Sequence, residues 1–133
     1  MQLNRKEMSM SHLSTQATVK SLDAPDEVRP FAAHGSMAVV QVGETMIGRG
    51  SFEPGWRWSQ DVKPIAGTDS CGAHHTLYVV SGRMHVAMDD CSEFEIGPGD
   101  AVEIPPGHDA WTVGDEPCVA VDWTGIARYA KPS

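Results

Sequence analysis

The sequence has no cluster of basic residues. Ten Lys and Arg stand against eighteen Asp and Glu, for a net charge of −8, and no stretch gathers cations as phosphate neutralisation requires. Nucleic acid is therefore not an expected partner. The carboxylates are scattered along the chain instead of standing at calcium-loop spacing, so the acidity reads as a solubility feature. Cysteine is scarce as well. Cys71, Cys91 and Cys118 are odd in number and form no Cys-x-x-Cys pair, which argues against a disulfide framework or a zinc knuckle and fits a reducing, cytoplasmic location. No apolar run approaches bilayer length and the first twenty residues lack the apolar core of a signal peptide, so no membrane partner is expected. No helix longer than two turns is evident.

What the sequence does have is short β-type runs split by turn residues. At 133 residues it is long enough for one domain with one core. Residues 1–17 show no steady apolar period and read as a flexible N-terminal arm, leaving 18–133 as the single domain. Strand patterns cover 37–42, 45–52, 73–80, 83–88, 93–96, 101–104, 110–113 and 118–123. Between them lie Gly43, Pro54-Gly55, Gly82, Gly97-Pro98-Gly99, Pro105-Pro106-Gly107 and Gly114, residues that supply corners through positive or fixed φ. This many short strands imply an all-β barrel or sandwich. The longest stretch without a strand, 56–70, is the kind of segment that borders a site.

Two segments carry more than fold. One is Cys71-Gly72-Ala73-His74-His75 leading through Tyr78 to Gly82; the other is Gly97-Pro98-Gly99-Asp100 leading through Glu103, Pro105 and Gly107 to His108 and Trp111. In order and spacing Gly99, Pro105 and Gly107 resemble the second motif of the cupin superfamily, and Gly82 resembles the closing glycine of the first. Glu53-Pro54-Gly55 resembles the corner that precedes that family's first histidine pair. The resemblance spans about 35–125 and is to the small single-domain bacterial cupins. It implies a cupin-type β-barrel, the double-stranded β-helix or jelly roll, and often a homodimer.

The family's ligand positions hold other residues here. Counting back from Gly82 puts His75 where the family keeps its Glu and, at the two leading histidine positions, Asp69 and Cys71 for the family's three-residue spacing or Thr68 and Ser70 for its four-residue spacing; Ala110 stands where the last histidine belongs, with His108 two residues earlier. Strand alternation sends Cys71, Ala73, His75, Leu77 and Val79 to one face and His74, Thr76, Tyr78 and Val80 to the other. In the family's register the first row faces the barrel interior. By the same rule Met84 and Val86 go in and His85 goes out.

His75 is the expected centre of the site, as a metal ligand or general base, and His108 at the rim is its expected companion. Asp69 and Glu103 are the candidate carboxylate ligands, while Cys71 reads as packing. An inner-face carboxylate at Glu103 or Asp122 would need a partner such as His75 or a metal. Trp56, Trp58, Leu77, Met84, Val86 and Trp111 are the expected pocket walls. Three function classes stay open. The first is a divalent-metal enzyme, with Fe, Mn, Ni or Zn, doing dioxygenase-like oxidoreductase or lyase/isomerase chemistry on a small organic molecule. The second is a metal-free module that binds or senses a small ligand. The third is a homodimeric regulatory protein acting through outer-face residues such as His74, Tyr78 and His85.

Overall fold

The computed structural model describes residues 16–132, so the expected arm at 1–17 lies outside the described residues except for Gln16 and Ala17. Among the described residues nine strands build two antiparallel sheets. The larger contains β1 (Glu27–Pro30), β2 (Gly35–Val42), β3 (Thr45–Phe52), β9 (Cys118–Asp122), β4 (His75–Ser81) and β7 (Ala101–Ile104), hydrogen-bonded in that spatial order. The smaller has β5 (Arg83–Met88) at its centre, flanked by β6 (Glu93–Ile96) and β8 (His108–Val113). Met37, Leu77, Ile104 and Ala120 of the first sheet and Met84, Ile96 and Ala110 of the second line one cavity between them, which is the barrel interior.

The strand patterns of the sequence reappear with their ends moved by a residue or two, apart from β1. That strand escapes pattern reading because only Val28 and Pro30 of its four residues are apolar. It is an edge strand and ends on a proline, where a missing donor does no harm. The expected corners hold. Gly82, Gly99 and Gly107 have φ of 75°, 91° and 94°, the left-handed region that side chains disfavour. At Gly82 a Cβ would also run into the Pro117 carbonyl.

The strandless stretch folds into two short helices, α1 (Trp58–Asp61) and α2 (Lys63–Ala66). Asp61 reaches back to accept the Arg57 N–H at 3.0 Å, satisfying a donor that the first turn leaves open. Gly67, at φ 77°, ends α2. The Thr112 N–H donates to Trp56 O at 3.0 Å and pins this segment to β8. Trp56 and Trp58 are thereby carried into the core, each 2% exposed.

After β9 the chain continues as a strap, 124–131, from which Tyr129 reaches the barrel cavity. The buried Arg29 side chain on β1 holds it, donating to Ile126 O and, at 2.9 Å, to Tyr129 O. The strap's own Ile126 and Tyr129 are buried.

Candidate functional site

On β4 the side chains alternate as the sequence indicates: His75, Leu77 and Val79 are buried, while Tyr78 and Val80 are exposed. His75 enters the barrel beside Asp122, the last residue of the neighbouring strand β9, whose register sets Asp122 opposite Leu77. The His75 Nδ1–H donates to Asp122 Oδ2. The other carboxylate oxygen accepts the Thr124 N–H at 3.0 Å and the Gly125 N–H at 3.4 Å, so the turn into the strap fixes Asp122 in place. A Cβ on Gly125 would sit 2.6 Å from His74 O and 3.1 Å from His75 Nδ1, which makes glycine the residue that lets this turn approach the ring.

With Nδ1 engaged, His75 turns Nε2 toward Cys71, whose Sγ lies 3.5 Å away. Cys71 is set by the backbone. Its N–H donates to His108 O at 2.8 Å, and Gly107 N–H donates to Cys71 O at 2.7 Å, a bridge that ties the approach to β4 onto the start of β8 in the other sheet. His108 enters from that side. Its Nδ1 donates at 3.0 Å to Pro105 O, and since a carbonyl can only accept, Nε2 is left free for the interior. One donor atom from each of Cys71, His75 and His108 lies within 4.8 Å of the others, and all three residues are buried.

Burial opposes a thiolate at Cys71, but interactions with His108 and His75 outweigh it and bring the thiol down to about 6. Burial likewise opposes charge on His75, while its hydrogen bonds to Asp122 and Cys71 raise it to about 9. Tyr129 lies edge-on to the His75 ring at 5.3 Å between centroids. Burial, followed by the charges of Cys71 and Asp122, pushes its phenol well above the usual range, so it stays protonated.

Two chambers meet at this cluster. The inner cavity is about 40 Å³, lined by His75, His108, Asp122, Tyr129, Trp56 and Trp58 among others, and has room for little more than water. The outer cleft is about 390 Å³ and lies between α1–α2 and the strap, with Cys71 in its wall. Trp58 and Tyr129 border both and form the partition.

The structure brings His75 and His108 together and places Asp69 and Glu103 away from them. Asp69 is fully exposed, 3.9 Å from Lys63. Glu103 points out of the sheet and meets His74 at 3.0 Å, because the apolar residue at the end of β7, Ile104, takes the inner face. The third donor is Cys71, which sequence reasoning left as packing since nothing local shows its bridge to His108. Asp122, whose expected partner is His75 or a metal, meets His75, and Tyr129 carries no signal in the sequence. Of the expected walls, Trp56, Trp58, Leu77 and Met84 do line the inner cavity. Val86 faces inward but is fully buried in packing and does not line it. Trp111 points outward, stacked on His85 at 4.7 Å and covered by the Arg57 guanidinium at 4.1 Å, because alternation in β8 gives the interior to His108, Ala110 and Thr112. Trp123, just past β9, is 43% exposed.

Comparison with known proteins agrees with this architecture. Residues 67–124 match the cupin domain family, a span that contains all three donors of the cluster. No curated protein matches the sequence. Among solved structures, a double-stranded β-helix protein from Klebsiella pneumoniae is 23% identical, with 84% of this chain and 94% of that one covered at a TM-score of 0.55. The polyketide cyclase RemF from Streptomyces resistomycificus is 18% identical over 82% of this chain and 79% of its own, at a TM-score of 0.60. The oxalate decarboxylase of Lactobacillus farciminis, solved as a formate complex, is 19% identical over 77% of this chain but only 32% of its own, at a TM-score of 0.54. Residues 67–124 thus carry a cupin domain, and the solved structures share its double-stranded β-helix fold over most of the chain.

Proposed function

We propose that the chain is a metal-dependent cupin enzyme acting on a small organic molecule, with Cys71, His75 and His108 holding one divalent ion at the partition between the two chambers. The observation that carries this reading is the convergence of three buried donors whose supporting contacts are already in place. Asp122 and Pro105 O fix the two imidazoles so that both Nε2 atoms remain available, the usual arrangement behind a metal-bound histidine. Cys71 is disposed to be a thiolate near neutral pH, the form that ligates. One thiolate and two imidazoles suit Zn, Fe, Ni or Cu better than Mn, which favours oxygen donors. Such an ion, bound by three protein ligands, would keep a coordination position for substrate and act as a Lewis acid or redox centre, so lyase/isomerase and dioxygenase-like chemistry both fit.

The remaining groups have defined tasks. Asp122 orients His75 and keeps the proton on its Nδ1, so that Nε2 faces the ion. The indole N–H groups of Trp56 and Trp58 are buried without a hydrogen-bond partner, which leaves two donors for an acceptor atom in the inner cavity. Tyr129 and Trp58 separate that cavity from bulk water.

A metal-free reading draws on one specific contact. Cys71, His75 and Asp122 form a thiol–imidazole–carboxylate chain that could anchor or attack a ligand without an ion. We further propose a cytoplasmic location, which keeps the three free cysteines reduced, and a homodimer formed through the outer face of the larger sheet, where Val28, Tyr78 and Val80 are exposed.

Metal analysis of untagged protein decides between the first two readings. The metal reading expects near one equivalent in the wild type, with loss in each of Cys71→Ser, His75→Ala and His108→Ala. A wild type that stays sub-stoichiometric after incubation with Zn, Fe and Ni salts would overturn it.

A further inference from the structure

The outer cleft differs from the rest of the molecule in its charge. Although the chain carries a net charge of −8, no described residue lining this cleft bears a carboxylate, while Arg128, Lys131 and His74 all do line it. Among the described residues neither Arg128 nor Lys131 has an ion-pair partner within hydrogen-bonding distance. Lys131 feels Glu27 electrostatically, but Glu27 is itself held at 3.0 Å by Arg29, and His74 is engaged with Glu103. Two exposed permanent cations, without a close ion-pair partner among the described residues, therefore stand at the mouth of a cleft whose deeper wall is apolar, built from Trp58, Val62 and Tyr129.

The way these cations are presented argues for a built site. They lie on the strap, in a turn closed by the Lys131 N–H to Arg128 O at 3.2 Å. Arg29 clamps the same strap through Ile126 O and Tyr129 O, and Tyr129 and Ala130 between the two cations are buried. The backbone of the mouth is thus ordered before any ligand arrives, which lowers the entropic cost of binding. At about 390 Å³ the cleft falls in the size range of small-molecule sites, whereas the inner cavity is far below it.

We propose that the outer cleft binds a small organic anion with an apolar body, its carboxylate held between Arg128 and Lys131 and its far end against Cys71. This names the substrate class for the site described above and rests on the metal reading for the chemistry at the buried end; recognition of the anion stands on the cleft alone. A guanidinium and an ammonium at the rim select for charge, and the Trp58–Val62–Tyr129 wall selects against a fully hydrated ion such as phosphate.

The test uses the full chain, benzoate as probe and benzamide as its uncharged counterpart, with binding followed by calorimetry. Benzoate is expected to saturate one site and to bind at least about ten-fold more tightly than benzamide. Arg128→Gln and Lys131→Gln are each expected to weaken benzoate roughly ten-fold while leaving benzamide unchanged, and both residues are exposed enough for the fold to survive. Equal binding of the two probes, no saturation by benzoate, or unchanged affinity in both variants would overturn the proposal. Cobalt(II) titration of the same proteins separates it from the metal reading. If cobalt fails to bind while benzoate is still preferred, the metal reading falls and the anion site stands.

Discussion

His74 and His75 follow one another in the chain, and each faces a carboxylate, Glu103 at 3.0 Å for the first and Asp122 for the second. The outward pair has side chains 50% and 70% exposed; the inward pair has 7% and 5%. In water the outward attraction is screened and contributes little. Inside, the same chemistry keeps a proton on Nδ1 of His75, favours the doubly protonated ring and aims Nε2 at Cys71. Residue type therefore says less about a role than the face of the strand on which the residue falls.

The largest test of that contrast removes each carboxylate in turn. Asp122→Ala leaves a buried imidazole without its partner and is expected to cost about 3–5 kcal/mol in urea unfolding. Glu103→Ala should fall within about 0–1 kcal/mol. Equal losses would erase the distinction between the two pairs.

A second test reaches the inner pair through the turn that supports it. Gly125→Ala places a Cβ 2.6 Å from His74 O and 3.1 Å from His75 Nδ1. Destabilisation of about 1–3 kcal/mol is expected by denaturant titration, together with zinc affinity at least about ten-fold weaker.

The cysteines sharpen the comparison through pH. Cys118, buried in apolar surroundings, is pushed up to about 11, whereas the histidines bring the equally buried Cys71 down to about 6. As pH rises through about 6, Cys71 loses its proton, so its alkylation by iodoacetamide in metal-free protein should climb there and level off before pH 8, while Cys118 stays unreactive. In His75→Ala the opposition from burial is left with less to offset it, and the midpoint should move upward. A midpoint unmoved by that substitution would separate Cys71 from His75.

The smallest effect belongs to the outer face of β8. Trp111→Ala removes a stack on His85 and the cover of Arg57, worth about 0.5–1 kcal/mol for an exposed cation–π contact, and should leave metal binding unchanged. A change in metal content would mean that the outer layer reaches the site.

The corners and the strand faces were legible in the sequence. Gly82, Gly99 and Gly107 announce positive φ because few other residues adopt it, and His75 inward with His74 outward follows from two-residue alternation. The same alternation, applied to β7, would also have placed Glu103 outside, since Ile104 takes the inner face. Asp69 was read from family spacing alone, and spacing does not show that the chain at 69 is still outside the barrel. The short helices and β1 were hidden for a different reason: they have too few residues for a period to develop.

Local sequence determined the barrel and the inward histidine, because φ preference and side-chain alternation act over a few residues. Tertiary structure alone decided that Cys71 meets His75 and His108, that Asp122 lies behind His75, and that the strap brings Tyr129, Arg128 and Lys131 to the outer cleft. Each of these depends on pairing between segments far apart in the chain, set by sheet register and by which face the buried area claims, and no local pattern encodes them.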